Sequence, residues 1–404
     1  MISTVLDPRR KTVWIYLAAG ASFAALAARG LAVPLYAHEL GATRFEVGAL
    51  FAVSTLAGAA LSLPSGLLVD RFGPRNLLAV SFVLSAVSGL ATAITSSVMP
   101  LFIWQAIGGL AAGAQQVALF SAVTEAVPGG RLGRAMGWLT LAMQTGFFVG
   151  PLIAGVLLTW IDLRADIAVT TLVLLFAIPG AILASGTRQL AAGRLSLRRP
   201  MIALARQPAF LPVTIAVLAL GLIWGTMQAF LPVFGREGLR LPSNMVGYLI
   251  AVQAIANGAS RPIAGRIVDR AQRRWPIVFI GVVVFSATAI VVGHLTGFVG
   301  PAIVLAIGTP FFATAFVAIG VVFGDLSAGS TRGVTMGTYG TILFIGLSLG
   351  PLFFGPIVQS NGYAAGFTAC AAVAVTLALV MAALNAEPVR RRLAPAQPQP
   401  APRG

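Results

Sequence analysis

The chain has 404 residues, of which 58% are hydrophobic and 9% are charged, and its mean hydropathy is +0.92. Water-soluble domains are about 45 to 50% apolar and about 25% charged, so this composition excludes a soluble globular fold. The 27 Lys and Arg residues outnumber the 11 Asp and Glu residues and give a net charge of +16. In so apolar a chain we interpret this excess as a determinant of membrane orientation, and we expect no nucleic-acid partner.

Apolar runs long enough to cross a bilayer follow one another along the whole chain. A spanning helix needs about 20 such residues, and short polar breaks leave twelve runs that predict an all-α membrane protein with 12 transmembrane helices. The predicted spans are residues 13–35, 46–68, 76–96, 99–123, 135–159, 167–184, 209–234, 245–268, 277–295, 299–323, 334–358 and 365–384.

The positions of the basic residues predict which way these spans face. With the N-terminus inside, 21 of the 27 Lys and Arg residues fall in inner segments, as cytoplasmic loops require. We therefore expect both termini in the cytoplasm, in a multi-pass protein of the plasma membrane, the inner membrane in a bacterium. The first run follows three basic residues and imitates a signal peptide, but its removal would leave eleven spans. The outer loops hold only Arg44, Arg164, Arg236 and Arg240, and Arg29 and Arg261 lie within spans.

Rare residue types exclude several kinds of chemistry. Lys11 is the only lysine and no glycine-rich loop precedes it, so a Walker-type phosphate loop is excluded. One cysteine, Cys370, and two histidines, His38 and His294, give neither a disulfide framework nor a metal cluster nor a legible Ser-His-Asp arrangement. We expect no cofactor, no bound metal and no enzymatic activity.

An internal repeat of about 200 residues divides the chain into two halves. Pro34 and Glu39 match Pro232 and Glu237 at a shift of 198, and Gly108 matches Gly308 at a shift of 200. Such a repeat predicts two pseudo-symmetric six-helix bundles around a central cavity, a geometry that implies transport. The alternative is a duplication that only stacks helices. The predicted parts are the N-terminal bundle 1–186, a basic linker 187–208, the C-terminal bundle 209–386 and a disordered tail 387–404.

A charged turn marks the inner face of each half. The segment from Gly66 to Arg75 resembles the loop 2-3 signature of the major facilitator superfamily, and the segment from Gly265 to Arg274 repeats it. Pro74 and Gln272 depart from the family pattern. The resemblance implies an inner gate network whose pairs are breakable, since partly exposed pairs contribute about 0.2 to 1 kcal/mol each. Alternatively, the charges only set topology. The candidate network comprises Asp70, Arg71, Arg75, Glu125, Arg131, Arg134, Asp269, Arg270, Arg274 and Asp325.

A glycine-proline motif in the fifth span resembles the Gly-x-x-x-Gly-Pro motif of drug/proton antiporters, with Ala154 where Gly is usual. Glycines four residues apart let helices approach closely, and proline bends a helix. We expect this motif at the interface between the halves, with plain packing as the alternative. The predicted packing and gating residues are Gly66, Gly146, Gly150, Pro151 and Gly155, with the repeats Gly265, Gly346, Gly350, Pro351 and Gly355.

Proton coupling has mixed support in the sequence. The antiporters' fourth-span arginine is replaced by Trp104, and all eleven acidic residues lie in tails, loops or span ends. Protons remain the candidate coupling ion, and their carrier would be the substrate or a rim group such as Glu39, Glu46 or His38.

Two arginines within spans are the sharpest candidates for a binding site, because charge in hydrocarbon usually faces a cavity. Arg261 shares a helix face with Gln253 and Asn257, and its surroundings resemble those of carboxylate transporters. A structural clamp is the alternative. Arg29 lies about 14 Å from Arg261 in depth, so one small anion would not touch both, and Arg29 can instead reach outward.

Amides and aromatic side chains complete the predicted site, because uncharged polar groups beside rings suit amphiphilic solutes. We expect a monomeric secondary transporter in the bilayer that moves a small organic solute by alternating access, with efflux of drug-like or metabolite compounds favoured. A carboxylate carrier using Arg261 is the first alternative, and a non-transporting receptor or assembly factor is the second. The remaining substrate-binding candidates are Gln105, Gln116, Gln144, Trp224, Gln228 and Tyr339.

Overall fold

The computed structural model describes residues 8–127, 132–184, 198–326 and 332–385, and this part of the chain is helical. Residue 131, the linker up to residue 197 and the tail from 386 onward lie outside the described residues. The helices are α1 (Pro8–Glu39), α2 (Arg44–Ile94), α3 (Val98–Ala126), α4 (Leu132–Leu157), α5 (Leu163–Ala184), α6 (Arg198–Ala205), α7 (Phe210–Glu237), α8 (Ser243–Arg270), α9 (Trp275–His294), α10 (Val299–Asp325), α11 (Arg332–Asn361) and α12 (Tyr363–Leu384).

Helix α2 contains the second and third predicted spans. Gly73 interrupts it with a φ of 77° and a ψ of 155°, a left-handed conformation that glycine adopts without steric cost. The chain turns back at this point, inside the charged turn that the sequence placed there. At its other end α2 begins with a capping box, in which the Thr43 side chain and Glu46 satisfy each other's backbone amides. Each predicted span therefore corresponds to a helix or a segment of α2.

Ten segments of the described residues are long and apolar enough to cross a membrane. Among the described helices of 20 residues or more, α5 and α8 are outside this set. Helix α8 carries the polar residues Gln253, Asn257 and Arg261, and it packs between α4 and α10. Side chains such as Leu141, Ile307 and Leu379 are more than half exposed on the outside of the bundles. This exposure suits lipid as the surrounding solvent, and the predicted all-α membrane fold is confirmed.

Helices α1 to α5 form the N-terminal bundle and α7 to α12 form the C-terminal bundle, while the short α6 lies in the predicted linker. Matched contacts inside the bundles preserve the internal repeat. Gly108 of α3 leaves room for Ser88 of α2, and Gly308 of α10 leaves room for Thr288 of α9. A Cβ atom at Gly108 would lie 2.7 Å from the Ser88 hydroxyl, and one at Gly308 would lie 1.8 Å from the Thr288 hydroxyl. The duplication is thus visible in individual contacts as well as in helix order.

The glycine-proline motif of α4 has two separate packing faces. Gly146 and Gly150 pack on the backbone of α1, within their own bundle, while Gly155 packs against Gly247 of α8 in the other bundle. The expectation that the whole motif lies between the halves is therefore wrong, because glycines four residues apart share a face and that face meets α1. Pro151 belongs to the face that meets α8, since its carbonyl oxygen lies beside Gly247.

The copy of this motif in α11 divides in the same way. Gly346 and Gly350 pack on the backbone of α7, again within one bundle. Gly355 instead lies beside Phe45 of α2, and Pro351 approaches Gly48 of the same helix. In each half the motif therefore joins a helix pair inside the bundle and adds one contact between bundles.

Candidate functional site

Arg261 joins the two bundles about two thirds of the way along α8. Its half-buried guanidinium lies against the side-chain amide of Gln144 on α4, and with the amide oxygen turned toward it, Nε and Nη1 donate at 2.6 Å. Nε also donates to Oδ1 of Asn257, one turn away on α8, at 3.2 Å. The Phe316 ring of α10 lies 5.4 Å from the guanidinium carbon, so its π face adds to the stabilisation of the charge. The result is a cation held by neutral groups from both halves.

Aromatic rings extend from this cation through the C-terminal bundle. Phe316 lies 6.1 Å from Tyr339 of α11 in one direction and 6.0 Å from Phe312 in the other. Phe312 in turn stacks on Trp224 of α7, with ring centroids 4.1 Å apart and planes at 13°. Trp224 and Tyr339, both predicted as binding candidates, are thus half-buried members of one aromatic row beside Arg261.

The predicted amides lie at different depths of burial. Gln253, two turns above Arg261 on α8, is 2% exposed, and its Nε2 has no hydrogen-bond partner among the described residues. Gln105, Gln116 and Gln228 are half-buried. Sequence reasoning missed Gln115, which is 4% exposed and also has an unpartnered Nε2 within the described part of the chain. Its neighbour Gln116 was named instead, and the sequence carries no signal that distinguishes the two.

Arg29 forms its hydrogen bonds inside the N-terminal bundle. It is 9% exposed and does not reach outward. Its Nη1 donates to the backbone oxygen of Ser85 at 2.9 Å and its Nη2 donates to the Ser85 hydroxyl at 2.7 Å. Both atoms belong to α2 of the same bundle. The outward-reaching alternative is therefore wrong, because the carbonyl and hydroxyl of Ser85 satisfy this guanidinium inside the bundle.

The inner charge network is described in part. Arg274 at the start of α9 forms an ion pair with Asp325 at the end of α10, within the C-terminal bundle. Arg71 stacks on the neighbouring Phe72 ring, with the guanidinium carbon 5.2 Å from the centroid. Three further members of the predicted network are exposed, namely Glu125, Asp269 and Arg270, and Arg75 is half-buried. The side chains of Asp70 and Arg134, and the whole of Arg131, lie outside the described residues.

The described cross-bundle contacts lie near the α1–α2 turn and in the middle of the protein. The hydroxyls of Thr55 on α2 and Ser348 on α11 are 2.7 Å apart, and a Cβ at Gly48 would meet Phe230 of α7 at 2.6 Å. Toward the predicted cytoplasmic end, by contrast, Gly66 and Gly265 have open space where a side chain would be. Among the described residues, contacts between the bundles are therefore found on the side of the α1–α2 turn, whereas Gly66 and Gly265, on the side of the Gly73 turn, have free space beside them.

A carboxylate near the α1–α2 turn gathers donors from both bundles. Glu237, the last residue of α7, accepts from Arg44 Nε at 2.7 Å and from the Tyr363 hydroxyl at 2.9 Å, both through Oε2. Its Oε1 lies 3.2 Å from Nε2 of His38. We call these four residues the outer node. His38 was named from the sequence as a rim group, but Glu237 was not. Its match to Glu39 in the repeat was the available signal, and that match could not show which carboxylate lies between the bundles.

A pocket of about 500 Å³ opens beside the outer node. It lies where α1, α5, α7 and the α7–α8 loop meet, and its lining is partly polar. The charged and titratable residues around it are His38, Glu39, Arg236, Glu237 and Arg240. The pocket is at the rim of the protein and not at its centre, so it is distinct from the Arg261 region.

Comparison with known proteins agrees with the signature turns and the two-bundle arrangement. The sequence profile of the Major Facilitator Superfamily matches residues 15–312 and 237–403. The chain belongs to the Major Facilitator Superfamily. It is therefore a multi-pass membrane protein.

Individual relatives match about a third of this chain. The quinolone resistance protein NorA of Staphylococcus aureus is 26% identical over 123 residues, which are 30% of this chain and 32% of the relative. An uncharacterized MFS-type transporter of Methanocaldococcus jannaschii is 31% identical over 123 residues, with the same coverage. The chain thus spans about a third of the length of the curated relatives that it matches.

Solved structures share the fold over nearly the whole chain. The nucleoside transporter NupG superposes with a TM-score of 0.76 at 13% identity, covering 93% of this chain and 98% of that one. A POT family transporter in complex with 5-aminolevulinic acid gives a TM-score of 0.78 at 13% identity, covering 96% and 97%. At this identity the likeness establishes the architecture and leaves the substrate to be argued from the side chains.

Proposed function

We propose that this protein is a secondary transporter that exports a small organic solute across the plasma membrane by alternating access. Membership of the superfamily supports transport, and the partial relative named for quinolone resistance supports efflux of drug-like compounds. The proposal places both termini in the cytoplasm and treats the monomer as the functional unit. In this orientation the structure corresponds to an inward-facing state, with the outer node closed.

In this proposal the binding site is placed at the contact between Gln144 and Arg261, which is the observation that supports it most directly. These residues come from different bundles, so rocking of the halves changes the distance between them. A solute that replaces Gln144 as the partner of Arg261 would therefore be sensed by both halves at once. The aromatic row through Phe316 and Trp224 supplies apolar surface beside the polar contact. Such a combination fits amphiphilic molecules with one polar end.

A second candidate function is transport of organic anions such as carboxylates. The specific observation in its favour is that the partners described for Arg261 are neutral: Gln144, Asn257 and Phe316. A half-buried cation without a negative partner carries a desolvation cost that an anionic substrate would offset. The guanidinium also presents a planar set of donors that matches a carboxylate in geometry.

The test is flux into proteoliposomes for a panel of amphiphiles and organic acids, with the pH gradient and the membrane potential imposed separately. Wild-type protein and Arg261→Gln are compared on every compound. Loss of acid transport alone would select the carboxylate carrier. Loss for all compounds together with a lowered thermal midpoint would indicate that Arg261 is structural. A non-transporting receptor would show no saturable flux for any compound, and that result would overturn the proposal. Dependence on the pH gradient alone would identify protons as the coupling ion.

A further inference from the structure

The outer node differs from the inner charge network in containing a histidine. His38 lies at the end of α1, with Nε2 3.2 Å from Oε1 of Glu237. Its side chain is 39% exposed and lines the pocket of about 500 Å³ at the outer rim. The imidazole is therefore open to the solution on that side while it contacts the carboxylate of the other bundle.

Other polar and charged groups also surround Glu237. Arg44 of α2 and Tyr363 of α12 both bond Oε2, and Arg44 also lies over the Tyr363 ring at 4.9 Å. On α7 itself, Arg236 donates to the backbone oxygen of Leu241 at 3.2 Å. Two further charged residues line the pocket and are exposed, Glu39 at the end of α1 and Arg240 in the α7–α8 loop. Oε1 of Glu237 thus meets His38, while Oε2 is held by Arg44 and Tyr363.

We propose that His38 and Glu237 form a proton-binding site that is complete only when the outer ends of the bundles are closed. Imidazole is the side chain whose charge ordinarily changes between about pH 5 and 8. Protonated His38 makes an ion pair with Glu237, whereas neutral His38 makes only a hydrogen bond. Opening of the outer end separates α1 from α7 and removes the carboxylate from the histidine. The ion pair between protonated His38 and Glu237 therefore exists only in the closed state.

The sign of the pH dependence follows from this difference. Because this ion pair forms only when the outer end is closed, a lower outer pH, which charges an imidazole, favours the closed state. The proton enters from the outer pocket and returns to it, so the site regulates opening and does not carry protons across the membrane. The free energy of one partly exposed ion pair changes the closed-to-open equilibrium constant by about 1.4- to 5-fold. This inference rests on the proposed alternating access and orientation.

The experiment measures the distance across the outer end directly. Ser97 between α2 and α3 and Thr296 between α9 and α10 are exposed loop residues, one in each bundle. They are replaced by Cys and spin-labelled in a Cys370→Ala background, since Cys370 is the only native cysteine and is buried. Pulsed dipolar spectroscopy in lipid nanodiscs then gives the closed and open populations at pH 8 and pH 5.5, without substrate or gradient. We expect the closed-to-open ratio to rise by about 1.4- to 5-fold at the lower pH.

Variants identify the group that responds. His38→Gln keeps a neutral donor and should abolish the pH response, and Glu237→Gln should abolish it and raise the open population at both pH values. His294→Gln is the matched control, because His294 is the only other histidine and bonds the Ile290 carbonyl of its own helix. This control should keep the wild-type response. An unchanged response in His38→Gln, a lost response in His294→Gln, or a wild-type protein without any response would each overturn the proposal.

The readout also separates this proposal from the proposed function. If the distances respond to pH as expected but no compound is transported, the proton site stands and the transport proposal fails. If transport is measured but His38→Gln retains the pH response of the distances, the proton site fails and the transport proposal stands.

Discussion

Gly66 and Gly265 occupy equivalent positions 199 residues apart, and each has open space where a side chain would project. Both lie in the charged signature segments, on the side where the described bundles leave free space. A helix glycine is less favourable than alanine by about 1 kcal/mol, so an uncrowded glycine in a helix calls for another reason. A state in which the inner ends close and these helices approach would supply that reason.

We therefore predict that Gly66→Ala and Gly265→Ala fold normally and transport slowly. Their thermal midpoints should equal or slightly exceed that of wild type, because alanine fits the present space and favours the helix. Overpacking costs about 1 to 3 kcal/mol, which lowers the population of a state with closed inner ends by about 5- to 150-fold. Initial flux rates and thermal midpoints are measured together. Gly30→Ala, at another uncrowded but exposed helix position, is the control: its flux should stay at the wild-type rate, and its thermal midpoint should equal or slightly exceed that of wild type.

For Gly109→Ala we predict the opposite effect on stability, because the space beside Gly109 is already filled. A Cβ atom there would lie 1.9 Å from the backbone oxygen of Ser54, and neither helix backbone can give way as a side chain would. Gly109→Ala should lower the free energy of unfolding by at least about 1 to 3 kcal/mol. The comparison is Gly137→Ala on α4, where a Cβ meets nothing within 4 Å. Equal thermal stability of the two variants in detergent would contradict the close packing of α2 on α3.

The sequence was sufficient to predict the helices, the repeat and the polar face of α8, since local periodicity or a nearly constant shift of about 200 residues indicates each of them. The partners of the buried groups were not predictable in the same way. Arg29 and Arg261 are both arginines within apolar spans, yet Ser85 satisfies one inside its bundle and Gln144 meets the other across the interface. Which helix faces which is decided by packing in three dimensions, and neither hydropathy nor spacing records it.

A lysine at position 261 distinguishes the contribution of the positive charge from that of the guanidinium geometry. Arg261→Lys keeps the positive charge but loses the planar set of donors that reaches both Gln144 and Asn257. If the substrate is a carboxylate read by two parallel hydrogen bonds, Arg261→Lys should raise the KM about tenfold or more, on the basis of about 1.5 to 3 kcal/mol for a hydrogen bond to a charged group. The measurement is concentration-dependent uptake of the transported acid.

Arg29→Lys is the comparison for Arg261→Lys, because its contacts with Ser85 lie inside one bundle. It should lower thermal stability while the KM of the remaining folded protein stays at the wild-type value. A wild-type KM in Arg261→Lys together with a raised KM in Arg29→Lys would exchange the roles assigned to the two arginines.

The proposed orientation predicts which loops an impermeant reagent reaches in intact cells. Thr296 lies between α9 and α10 and Gln272 lies between α8 and α9, at opposite ends of α9, and both are exposed. With the N-terminus in the cytoplasm, Thr296→Cys should react with a membrane-impermeant maleimide and Gln272→Cys should react only after permeabilisation. Buried Cys370 serves as the background and should stay unlabelled in both conditions. The reverse pattern would place the outer node in the cytoplasm, so the proton sensed by His38 would then report the internal pH.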